Sequence, residues 1–136
     1  MLKLSDFINA FEFISDEDSW INLETGELYN RWDFETEGMN NEEIEDFLCK
    51  DEIVALPSKH ELNEYQDMDL FADSIENEEI RNKLYRALNG KGAFSRFKNE
   101  ITYLGIREKW FVFRDERLRE KVKAWLEDSE IEYIED

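Results

Sequence analysis

The sequence predicts an α+β protein, a single domain over residues 1–136 that is mostly helical and carries a small antiparallel sheet. Three observations lead there. Apolar residues recur at helical spacing along most of the chain, and the segment 20–32 switches to β-type residues around a glycine turn. Aromatics make up 14% of the residues beside one proline and five glycines, which supplies a core despite a net charge of −18. A charged fraction of 38% would suit a disordered chain, but this aromatic content is the opposite of the disordered signature, so the charge belongs on a folded surface. A chain of this size removes roughly two thirds of its unfolded surface from water and needs no staples.

The first element follows from Leu4, Phe7, Ile8, Phe11 and Ile14, an amphipathic helix with Ser5 as its capping hydroxyl. After the acidic bend Ser15 to Asp18, the residues Trp20 to Trp32 read as a hairpin turning at Thr25-Gly26, with Ile21 and Leu23 on its apolar face. Asn40 and Glu43 form a capping box for a short helix through Cys49, which the stripe Ile44, Phe47, Leu48 marks as a small core residue. A third strand is expected near 52–56 and ends at Pro57. Ser58 and Glu61 form a second capping box, from which one helix of about four turns is expected through Leu62, Tyr65, Met68, Ala72 and Ile75. Asn77 opens a helix bearing Ile80, Leu84 and Leu88, and Gly90 closes it. Phe94, Phe97, Ile101 and Leu104 form the stripe of the next, and Gly105 ends it. The longest helix runs from Ile106 through Trp110, Phe113, Leu118, Val122 and Trp125 to Leu126, with Phe111 off its stripe. Alternation at 131–134 suggests an edge strand returning to the sheet.

Charge is unevenly distributed. Residues 1–80 hold 24 acids against four bases, whereas residues 81–99 hold Arg81, Lys83, Arg86, Lys91, Arg96 and Lys98 and no acid. The acidic part suggests a carboxylate face, with Asp16, Glu17, Asp18, Glu24, Glu27, Asp33, Glu35 and Glu37, that meets a basic protein partner or mimics DNA. The basic part reads in two ways. Lys91, Arg96 and Lys98 at a helix start suit a phosphate or carboxylate; alternatively the strip is the internal counterpart of the acidic half and clamps the fold. Two glycines flanking a turn need only backbone geometry, which favours the clamp. The spacing of a Walker loop is absent around Gly90-Lys-Gly92, and placing either glycine in a helix-turn-helix puts lysine and arginine where that motif buries apolar groups. The net charge argues against direct duplex binding.

No catalytic set is complete. His60 is the one histidine and falls in a first helical turn, an exposed position by default. Asp67, Asp69 and Asp73 lack the glycine and glutamate of a calcium loop, and with 35 acids close carboxylate pairs arise without function. A carboxylate-based enzyme therefore ranks behind the two binding readings; no cofactor or metal is expected. Cys49 has acidic neighbours that oppose thiolate formation. Neither a signal peptide nor a membrane span is recognisable, so a cytoplasmic location is expected.

The order Leu56-Pro-Ser, Glu61, Glu64-Tyr65, Met68, Phe71, then Leu84, Ala87-Leu-Asn-Gly-Lys-Gly-Ala-Phe94-Ser-Arg-Phe-Lys98, then Trp110-Phe, Phe113-Arg-Asp and Trp125-Leu resembles the bacterial group known as uncharacterised protein family 0158. It spans residues 56–126, and the block Gly90 to Lys98 is its most specific part. The resemblance implies a small bacterial cytoplasmic protein with a shared fold. It implies no activity and no catalytic residue.

Overall fold

A computed structural model describes residues 1–136 and is 60% helical. Helix α1 spans Leu4–Glu12, strands β1 and β2 span Ser19–Asn22 and Leu28–Asn30, helices α2 and α3 span Arg31–Thr36 and Asn41–Leu48, and β3 spans Ile53–Ala55. A short α4, Lys59–Leu62, is followed by α5 over Glu64–Ser74, α6 over Glu78–Ala87, α7 over Ala93–Tyr103 and the long α8 over Arg107–Asp128. The protein is thus α+β, with three strands in the antiparallel order β2-β1-β3. Contacts divide the chain into two compact units, one formed by 1–62 with 120–136 and one by 63–119.

In the first unit the hairpin forms as expected, with Trp20 opposite Tyr29 and Ile21 opposite Leu28, and β3 adds to the other edge of β1 with Trp20 opposite Ala55. Asn22 fixes the turn: its Oδ1 accepts from the amides of Glu24 and Thr25 at 2.8 and 3.1 Å, and its carbonyl accepts from Gly26 at 2.7 Å. Leu4, Phe7 and Phe11 of α1 are buried, with Trp125 against Phe7 and Phe11 at 6.2 and 5.4 Å between ring centroids. Phe34 collects Trp20, Tyr29 and Phe47 around it at 5.5 to 6.1 Å.

Several sequence expectations are corrected here. Ser5 lies inside α1 and does not cap it; the backbone N–H of Lys3 donates to Asp6 Oδ2 at 2.9 Å instead. The second strand stops at Asn30, whose Oδ1 accepts from Asp33 N at 2.8 Å while its own N–H donates to Asp33 Oδ2 at 3.0 Å. That reciprocal cap starts α2 and lifts Trp32 out of the hairpin. Cys49 is exposed, because α3 ends at Leu48 and the next position turns away from the direction of Ile44. The tail 131–134 does not join the sheet. Ile134 makes a single parallel bridge with Lys3, donating to Leu2 O at 3.0 Å and accepting from Leu4 N at 2.8 Å. The tail is held there because Ser5 donates to both Asp136 carboxylate oxygens, from Oγ at 2.6 Å and from N at 3.0 Å, and Lys123 pairs with Glu135 at 2.8 Å.

The Ser5 hydroxyl, followed by the Ser5 amide, holds Asp136 below the ordinary aspartate value of 3.8. A carboxyl depressed by folding stabilises the fold above its unfolded pKa and loses that contribution as pH falls through the folded one. Carboxyl NMR titration should find Asp136 below 3.8 in the native chain and closer to it in Ser5→Ala. An unmoved midpoint would refute the contact.

The second unit packs around Met68, Phe71, Leu84, Phe97, Ile101 and Trp110, all 3% exposed or less. Its helical caps are partly as read: Asn77 Oδ1 accepts from Ile80 N at 3.1 Å. At the end of the first unit's 1–62 stretch, Ser58 does accept from Glu61 N at 3.1 Å, yet the helix it starts lasts only to Leu62. Asn63 then adopts φ +48°, and its side chain accepts from Gln66 N to begin α5 separately. Asparagine tolerates this left-handed conformation better than most residues, which is why the apolar stripe runs through a break. Phe94, placed on the α7 stripe by its spacing, is 43% exposed, because the buried face of α7 runs through Ala93, Phe97 and Ile101 and Phe94 falls to one side of it.

Candidate functional site

Two of the regions singled out by charge become specific arrangements in three dimensions. In the first unit, Asp16, Glu17 and Asp18 follow α1 as an exposed bend, and α2 brings Glu35 beside them. Together with Arg31 and Trp32 these acids line a hollow of about 240 Å³. Trp32 is 60% exposed, the consequence of helix α2 starting one residue before it. The other acids named from sequence divide by role. Asp33 is spent on its cap, and Glu27 accepts from the Tyr29 hydroxyl at 2.6 Å, a bond that raises the tyrosine above its ordinary pKa. Glu24 and Glu37 remain exposed and do not line the hollow.

In the second unit the basic segment forms the α6–α7 corner. Gly90 and Gly92 both have left-handed backbones, φ +83° and +78°. Arg96, one turn into α7, reaches back over this loop. Its Nε donates to Ala87 O at 3.0 Å, one terminal nitrogen donates to Gly90 O at 3.3 Å and to Asn89 O, and the other donates to Lys91 O. The guanidinium thus collects the last carbonyl of α6, that of Ala87, and three carbonyls of the loop after it. Of the other bases, Arg81 donates to Ile75 O at 3.0 Å, Arg86 to Asn82 O at 3.4 Å, and Lys83 faces Glu79 at 3.7 Å. Lys91 and Lys98 are exposed. The bonds described for this strip fall within residues 75–96, so its arginines act as local staples through carbonyl oxygens, where sequence suggested a clamp made with acids. Of the anion corner expected from Lys91, Arg96 and Lys98, Arg96 is engaged by the loop carbonyls and the two lysines are exposed.

This arrangement favours glycine at position 92. A Cβ there would lie 3.1 Å from an Arg96 terminal nitrogen, and the left-handed backbone costs roughly 1–2 kcal/mol for an L side chain. Gly92→Ala should lower unfolding free energy by about 1–2 kcal/mol in urea titration. A neutral result would mean the loop takes another conformation.

One concavity escaped the sequence reading. A groove of about 610 Å³ in the second unit has Phe71, Ile75, Ile80 and Phe113 among its walls and Lys109 and Glu116 among its polar lining. Val112, 60% exposed, sits in it. The available signal was that Val112, like Phe111, falls off the Trp110/Phe113 stripe; Phe111 is 38% exposed, with the Arg107 guanidinium 5.2 Å from its ring centroid.

No three His, Cys, Asp or Glu side chains are grouped so as to hold a metal ion, His60 is exposed, and no helix is long and apolar enough to cross a membrane. The fold and these surfaces define a small α+β protein with an acidic hollow in one unit and a basic corner in the other. The chain belongs to the Uncharacterised protein family (UPF0158), whose family model matches residues 1–136 and so takes in the hairpin as well as the block Gly90 to Lys98. Comparison with curated proteins gives no match. Comparison with solved structures gives none either.

Proposed function

We propose that this is a non-enzymatic binding or regulatory protein of the bacterial cytoplasm, and that its acidic first unit receives a lysine- or arginine-bearing segment of a protein partner. The observation that supports it is the hollow lined by Asp16, Glu17, Asp18, Glu35 and exposed Trp32, whose four carboxylates outnumber its one base, Arg31. A cation over the indole face gains roughly 0.5–2 kcal/mol, and the carboxylates around it add steering that weakens with salt. The same distribution of acids suits mimicry of a DNA surface toward a basic partner. The test follows the fluorescence of the protein's tryptophans during titration with a lysine-rich peptide, and repeats it with Asp16→Asn/Glu17→Gln/Asp18→Asn/Glu35→Gln. Affinity should fall roughly tenfold or more in that variant and with rising salt, as neutralising four carboxylates around one cation requires. Equal affinity in both proteins, or binding indifferent to salt, would overturn the reading.

A further inference from the structure

A second hollow carries the opposite sign of charge. Lys83, Arg86 and Ala87 stand at i, i+3 and i+4 on α6, and Arg96, Asn99 and Glu100 at the same spacing on α7, so each set occupies one helical face. The two faces line a single hollow of about 400 Å³. It falls in the basic 81–98 segment and shares Arg96, but neither Lys91 nor Lys98, with the corner that sequence suggested, and its three cations outnumber its one carboxylate.

The cations differ in how they are held. Arg96 is pinned by the loop carbonyls, which fixes its charge at the wall without removing it. Arg86 uses only Nε, toward Asn82 O, so its terminal nitrogens stay open to a ligand. Lys83 shares a 3.7 Å contact with Glu79, whose side chain is 80% exposed; such surface pairs exchange readily for a better anion. The C-terminal end of α6 contributes about half a negative charge, less than the three full positive ones. No aromatic ring lines the hollow, so nothing there stacks on a base.

We infer that this hollow binds a compact polyanion, the diphosphate group, with Arg86 and Lys83 as its mobile ligands and Asn99 as a neutral donor. The source is either free pyrophosphate or the diphosphate of a nucleotide. Calorimetric titration of the full chain with pyrophosphate, in metal-free buffer at low salt, should show saturable binding. Lys83→Gln/Arg86→Gln should weaken it roughly tenfold, while Lys91→Gln/Lys98→Gln, which removes equal charge from the same segment outside the hollow, should change it less than about twofold. ADP binding as tightly as pyrophosphate would show that the diphosphate alone is read; tighter pyrophosphate binding would assign the site to the free anion. Amide shifts of the native protein with pyrophosphate should centre on residues 83–87 and 96–100, a readout that needs no variant. Lack of saturation, equal loss in both double variants, or shifts centred elsewhere would overturn the inference. Since the acidic hollow shares none of these residues, its own test stands or falls separately.

Discussion

Replacing Trp110 with alanine should cost about 3–5 kcal/mol, a large part of what holds a domain of this size together. Trp110 is 2% exposed and sits where α8 meets the second-unit core, with Phe97 and Phe71 edge-on at 5.0 and 5.5 Å between centroids. Three effects accumulate on deletion: the lost transfer of the indole from water, the cavity left between helices, and two edge-to-face contacts worth roughly 0.5–1.5 kcal/mol each. Trp110→Phe keeps much of the volume and should cost clearly less. Urea unfolding measures both, and hydrogen exchange should show the alanine variant losing protection in α5, α6 and α7, whose Phe71, Leu84 and Phe97 share the cluster. A loss below about 1 kcal/mol for Trp110→Ala would mean that the helices do not pack on this ring.

What the sequence disclosed was whatever depends on neighbours three or four residues apart. Asn40 and Asn77 act as the caps their spacing implies, and the Gly26 hairpin and the long α8 follow from local pattern alone. Where local signals compete, the reading fails in a physically specific way. Tyr29 and Trp32 favour a strand, yet the Asn30/Asp33 pair satisfies backbone donors of a helix start, and the helix wins. The Ser58 cap and the stripe Leu62, Tyr65, Met68 argued for one helix, and a single left-handed residue, Asn63, divides it. The candidate sites were legible as charge and not as geometry. Arg96 looks from sequence like an anion ligand; only the folded α6–α7 loop reveals the carbonyls that occupy it. The acidic hollow depends on Trp32 being exposed, which follows from the α2 start that sequence missed.

The hardest residue to read was Asp67, one of 35 acids and the one buried charged residue, at 3% exposure. Its partner Arg117 is fifty residues away, with Nε 2.9 Å from Asp67 Oδ1, and neighbouring Arg114 pairs with Glu64 at 3.2 Å, so two turns of α8 are fastened to the start of α5. The two ends of the Asp67–Arg117 pair are unequally buried, 4% against 28% side-chain exposure, and this inequality predicts an ordering of variants. Removing the guanidinium takes the charged partner from a carboxylate that water scarcely reaches, so Arg117→Ala should cost about 3–5 kcal/mol. Removing the carboxylate leaves a guanidinium that can turn toward solvent, so Asp67→Ala should cost less, about 2–3 kcal/mol. Since the pair takes two charges out of water, Asp67→Leu/Arg117→Met should recover much of either loss by replacing it with apolar packing. Urea titration of the four proteins decides the matter. If Asp67→Ala proved the costlier single change, or the double change cost the sum of both, the carboxylate would owe its place to something other than Arg117.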